Sequence, residues 1–196
     1  MKRSGDKLEL IVSTSKDLFW KHGFRRVTIE EVCRKANVSK MTFYKHFDNK
    51  IDLVKYILEG IYAEAMLNYK SIMNSDIPYN EKFEKTIQMK MDNTSEMSEE
   101  FLHDYMQSEN KELTSHLVSM RNEQIKIILN DYIEAQTRGD IRKDIKPEFI
   151  LYFLNHLFEM VKDPNLEKLY DQPQKMIMEV TRFFFYGIMG GEKVQE

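Results

Sequence analysis

The stretch NVSKMTFYKHFDNKIDL, residues 37–53, gathers Lys40, Met41, Thr42, Tyr44, Lys45 and His46 around two phenylalanines, Phe43 and Phe47. On a helix Phe43 and Phe47 point the same way, and Met41 and Lys45 point the opposite way. Thr42 and Tyr44 lie on the flanks. These side chains suit the edges of a DNA duplex. Lys45 can donate to guanine O6 and N7, Met41 can touch a thymine methyl, and Thr42 and Tyr44 can bond phosphates or base edges. The free backbone N–H groups at the start of such a helix suit a phosphate. Lys50, opening the next helix, can act there as a point charge.

The elements around this stretch are those such a helix needs. Leu8, Ile11, Val12, Leu18 and Phe19 form one stripe, which predicts a first helix over about 6–22. Gly23 is placed to stop it. Thr28 followed by Glu31 is a capping box for a second helix, whose buried face is Ile29, Val32, Cys33 and Ala36. Asn37 and Val38 make a tight break, and Ser39 can cap the third helix. Three helices with the last two so close together form a helix-turn-helix.

Charge follows the same division. Residues 1–50 hold 12 Lys and Arg against 6 Asp and Glu, a net of +6, while the whole chain is at −3. A basic head on an acidic body predicts that the head meets a polyanion. Chance surface charge would give the same skew; the capping box and the break are what favour DNA.

The 196 residues suffice for one large domain or two small ones, and 42% of them are hydrophobic. With 7 Gly and 4 Pro, and little strand-type alternation, the expected fold class is all-α. The single cysteine, Cys33, cannot make an internal disulfide, which fits a reducing cytoplasm. No apolar run approaches a membrane span, and the N-terminus does not read as a signal peptide.

The stretch FWKHGFRRVTIEEVCRKANVSKMTFYKHFDNKIDLV resembles the DNA-binding domain of the TetR family of bacterial transcriptional regulators, over about residues 6–55. Phe19, Gly23, Phe24, Thr28, Ile29, Val32, Val38, Ser39, the run TFYKHF at 42–47, Lys50 and Leu53 carry the resemblance. It implies that Thr28, Tyr44 and Lys50 touch phosphates, with Lys40, Met41, Thr42, Lys45 and His46 in or beside the groove. Ser39 is counted with them at the helix start. Met41 departs from the small residue or Pro usual in the family, so no operator sequence is transferred.

The expected division is a helix-turn-helix domain over 1–50 and a helical ligand-binding and dimerisation domain over 51–196. Ile51, Val54, Leu58, Ile61 and Ala65 predict a long connecting helix to about residue 73. Further helices fit about 80–92, 96–107, 111–138, 147–162 and 173–189. The stretch RGDIRKDIKPEF breaks the pattern with Gly139 and Pro147, and also resembles the family.

The last two helices are apolar on more than one side. Ile150, Phe153, Leu154, Leu157, Phe158 and Val161 form one stripe; Phe149, Tyr152 and Met160 form another. Phe183 to Tyr186 face all directions. A helix apolar all round must be buried all round, which predicts a second copy of the chain over Phe149, Phe153, Phe158, Phe184 and Ile188. A tightly wrapped monomer core is the other reading. The family resemblance implies dimerisation through the same two helices.

The body is rich in Met and aromatic residues that suit an apolar or amphipathic small molecule, and equally an ordinary core. The resemblance tips the reading toward a pocket, with Tyr62, Met66, Phe83, Tyr105, Met120 and Tyr152 as lining candidates. No enzyme motif is present: no His-Glu-x-x-His, no Gly-rich phosphate loop, no Gly-x-Ser-x-Gly. One Cys and five scattered His make no usual metal site, and no cofactor is expected. The expected function is a homodimeric repressor on a palindromic DNA operator, released by a small molecule. A constitutive or architectural DNA-binding member, and a helical adaptor that does not bind DNA, stand as alternatives.

Overall fold

The computed structural model describes residues 4–189, and among them helices are joined by turns and loops, with one isolated bridge between Ile141 and Met189 as the sole strand-type pairing. Ten helices follow in order: α1 Ser4–His22, α2 Ile29–Lys35, α3 Lys40–Phe43, α4 Lys50–Met73 and α5 Tyr79–Ser95, then α6 Glu99–Met106, α7 Lys111–Arg138, α8 Pro147–Met160, α9 Pro164–Glu167 and α10 Pro173–Ile188. The all-α expectation holds, with a helix-turn-helix ahead of a larger helical part.

The chain forms two compact units. One comprises residues up to Glu64 together with Glu96–His116; the other comprises Ala65–Ser95 and the chain from Leu117 onward. α4 and α7 each contribute residues to both. The division into 1–50 and 51–196 is kept below as a functional proposal.

In the first unit, α1 ends because Gly23 takes a left-handed backbone, φ 72°, while its N–H still reaches Phe19 O at 2.9 Å. Thr28 Oγ1 accepts from Glu31 N at 3.1 Å and caps α2. After Ala36 the chain turns through Asn37 at φ 52°, and Val38 N–H closes on Cys33 O at 2.9 Å. Asn tolerates that conformation better than most residues. Ser39 Oγ then accepts from Thr42 N at 3.1 Å and starts α3. Phe43, fully buried, and Phe47 lie 5.7 Å apart between ring centroids and anchor α3 in the head's core. α3 is shorter than the sequence predicts. Its α-helical part ends at Phe43, and residues 44–46 form a turn with His46 N–H on Phe43 O at 2.9 Å.

In the second unit, Tyr79, Phe83, Tyr132, Ile150, Phe184 and Phe185 form the centre of the core. Gly139, φ 92°, stops α7. The link to α8 is held by Gln136, whose amide donates to Arg142 O at 3.0 Å and Ile145 O at 2.7 Å. α9, a single turn capped by Asp163, is too short to show periodicity and was not anticipated.

Candidate nucleic-acid interface

The outer side of α3 and its following turn presents Met41, 71% exposed, Tyr44, 52% exposed, and Lys45. Met41 and Lys45 lie on the side away from the buried Phe43 and Phe47, and Tyr44 lies on the flank with its ring edge-on to Phe43 at 5.4 Å. One cation, one phenol and one long apolar side chain exposed together can read base edges and touch phosphate.

The other candidates are placed differently. Thr28 and Ser39 are exposed, but each hydroxyl is occupied as a helix cap. Thr42 is half-buried with its hydroxyl 3.0 Å from Ser39 Oγ, and His46 is half-buried in the turn. Lys40 is exposed and pairs with Glu30. The pairing raises the Lys40 amine and lowers the Glu30 carboxyl from their ordinary pKa values. At so exposed a position the pair contributes little stability. It does hold the Lys40 charge beside α2.

Lys50 turns inward. Its amine donates to the backbone carbonyls of Arg25 at 2.9 Å and Val27 at 2.8 Å. Burial lowers its pKa, and the Asp104 carboxylate acts in the opposite direction. Its visible job is to hold the loop between α1 and α2. Cys33 is buried, and burial first, then Glu30, pushes its thiol pKa up, so it is inert.

Two residues were missed. Arg25, half-exposed on the same loop, donates through Nη2 to Gln107 O at 2.5 Å and lies 3.5 Å from Asp104. The doublet Arg25–Arg26 was the signal for it. Asp104 is buried, 7% exposed, and accepts the Arg25 N–H at 2.8 Å. A signal for it existed: Asp104 sits three positions after Phe101, on the face α6 buries.

The small-molecule candidates divide between the two units. Tyr62 and Tyr105, both half-buried in the first unit, hydrogen-bond through their hydroxyls. Met66 and Met120, in the second unit, are half-buried. Phe83, 2% exposed, is enclosed by Tyr79, Tyr132 and Phe185, and Tyr152 is 60% exposed on α8.

The dimer candidates also separate. Phe149 is 57% exposed, and Phe153 is half-buried beside it with rings 6.2 Å apart. Phe184 and Ile188, each 5% exposed, belong to the core of their own unit. The outward side of α10 carries Phe183 and Tyr186 instead, one position before and two after Phe184. The side chain of Phe158 lies outside the described residues.

Residues 11–57 match the family model described as bacterial regulatory proteins, tetR family. The activator of the dhaKLM operon, DhaS, from Lactococcus lactis is 28% identical over 66 residues, 34% of this chain and 35% of DhaS. The chain therefore matches only about a third of that relative's length. Among solved structures, the fatty acid degradation regulator FadR from Bacillus halodurans superposes with a TM-score of 0.71 at 15% identity, covering 92% of this chain and 95% of that one. The regulator FadR from Bacillus subtilis, crystallised with stearoyl-CoA, gives 0.70 at 12% identity over 92% and 99%. At such identities the likeness is one of fold. No helix of the described residues is long and apolar enough to cross a membrane.

Proposed function

We propose that this chain, a member of the TetR family of bacterial regulatory proteins and not an enzyme, binds a palindromic DNA operator as a homodimer, represses from it, and is released by an apolar or amphipathic small molecule. The observation that carries the reading is the outer face of α3. Met41, Tyr44 and Lys45 stand out from a helix whose inner face, Phe43 and Phe47, is locked in the core. A helix-turn-helix dimer needs its two recognition helices about 34–36 Å apart to enter successive major grooves. A gel shift on the DNA flanking the protein's own gene, with a reporter driven by that DNA, tests both binding and repression. DhaS is an activator, so a rise in reporter output with the protein present would keep the DNA reading and reverse its sign.

Within this reading residues 1–50 read DNA, and 51–196 receive the ligand and the second copy. Lys45→Ala costs roughly 1–3 kcal/mol on the operator and relaxes base preference at one position. Operator binding as tight as wild type would remove α3 from the groove. Dimerisation is supported by the exposed aromatics Phe149, Tyr152, Phe183 and Tyr186, too many large side chains to leave in water on two successive long helices.

The effector site is assigned around the Tyr62–Tyr105 hydroxyl pair, which offers a polar anchor at half-buried depth. Support for an amphipathic effector comes from the fold neighbour crystallised with stearoyl-CoA, as analogy alone. A thermal-shift screen of apolar and amphipathic compounds should find ligands that raise the melting temperature by mass action. Reciprocity requires each true effector to bind more weakly when operator is present. Tyr62→Phe with Tyr105→Phe should weaken the hits; hits that ignore both changes place the effector elsewhere.

A further inference from the structure

The corner between α1 and α2 is gripped by a helix far along the chain. Asp104, on α6, has a side chain only 10% exposed. Its Oδ2 accepts the Arg25 N–H at 2.8 Å, and its Oδ1 lies 3.5 Å from Arg25 Nε. Gly23 backs onto the same carboxylate: a Cβ there would sit 2.5 Å from Oδ2, on a backbone already left-handed. Both ends of α6 are tied to the head as well. The N–H of its cap residue Ser98 donates to Trp20 O at 2.9 Å, and the carbonyl of Gln107 at its other end accepts from Arg25 Nη2 at 2.5 Å. Between them the rings of Trp20 and Phe101 lie 4.4 Å apart. From α4, Lys50 holds the carbonyls of Arg25 and Val27. Residues 23–27 are thus fixed by α6 and α4 together, and the next residue, Thr28, caps α2. In keeping with this, α6 belongs to the same compact unit as the head, whereas Ala65–Ser95, which precedes it, does not.

We propose that Asp104 is a positioning residue for DNA recognition, and that the working DNA-binding module is discontinuous: the chain up to Glu64 closed by Glu96–His116. Asp104 does not touch DNA. It sets the α1–α2 corner, through which α2 and then α3 take their angle, and it holds the Arg25 guanidinium away from phosphate. This rests on the DNA-binding reading above.

The test uses the full chain with Asp104→Asn and Asp104→Leu. Asn keeps an acceptor for the Arg25 N–H at the same length; Leu keeps the bulk and no acceptor. Affinities for operator and for a random duplex are measured at several salt concentrations, with circular dichroism and light scattering to confirm that each variant is folded. Asp104→Leu should weaken operator binding by about tenfold, because a loosened α1–α2 corner must be set again each time α3 enters the groove. Random-duplex binding should stay level or tighten, with a steeper salt dependence, because Arg25 is released to phosphate. Asp104→Asn should lie between Leu and wild type on the operator. A purely structural role would lower both affinities by one factor, and that result, or wild-type operator affinity in Asp104→Leu, overturns the proposal. Should the Leu variant not fold, amide exchange on the unmodified protein decides. The Arg25 amide and those of Leu102 to Met106 should exchange through one shared opening; an α6 that opens while Arg25 stays protected refutes the module. A wild-type protein with no operator would instead defeat the DNA reading, and the exchange result would still judge the module.

Discussion

Phe184→Asp should unfold the second unit, whereas Phe183→Asp should leave it folded and turn a dimer into a monomer. The two residues are neighbours in sequence and opposites in surroundings. Phe184 is 5% exposed, its ring stacked on Phe153 at 5.6 Å and 5.9 Å from Tyr132. Losing such a ring costs roughly 3–5 kcal/mol. A carboxylate put in its place adds a desolvation penalty with no partner to offset it. That approaches the whole stability of an ordinary domain, about 5–15 kcal/mol. Phe183 is 75% exposed, so within one chain its replacement should change stability by no more than about 0.5 kcal/mol. Its effect belongs to assembly, where a charge against an apolar partner surface is expelled. Light scattering should give twice 23.5 kDa for the parent chain and 23.5 kDa for Phe183→Asp, both with full helical circular dichroism. A Phe183→Asp protein still at twice the mass would remove the exposed face of α10 from the interface.

That contrast marks what the sequence could and could not convey. Helices long enough to repeat their pattern were legible to within a few residues, α4 and α7 most closely, because several turns of apolar spacing leave little freedom of phase. The caps Thr28 and Ser39 were legible because a capping hydroxyl bonds a backbone only three residues away. Phase was lost on α10. With Phe183, Phe184, Phe185 and Tyr186 in a row, every direction is apolar, and only packing tells which side faces inward. Contacts between residues distant in sequence were not legible either. Asp104 meets Arg25 across 79 positions, and no local pattern records such a partner. Met41, Tyr44 and Lys45 were legible for the opposite reason. Their exposure follows from the local phase set by Phe43 and Phe47, with no help from the rest of the fold.

Lys50 is the residue for which sequence and structure imply different experiments. As a phosphate contact, Lys50→Met would weaken every duplex alike and lower the salt slope by about one unit. Its amine, however, is turned away from solvent onto the carbonyls of Arg25 and Val27 at 2.9 and 2.8 Å. Removing it leaves one partly buried acceptor, Val27 O, and one exposed acceptor, Arg25 O, without their charged donor, and a buried bond of this kind is worth about 1.5–3 kcal/mol. The methionine restores the apolar stem, so the loss is confined to the polar end. The expected result is therefore a fall of roughly 2–4 kcal/mol in the stability of the head, read by denaturant unfolding. Operator binding should weaken as the α1–α2 corner loosens, with the salt slope unchanged. Measuring affinity at several salt concentrations separates the two roles directly. A slope lower by one unit with unaltered unfolding would return Lys50 to the DNA. An unaltered slope with earlier unfolding would place it, with Asp104, among the residues that hold the reading helix without touching what it reads.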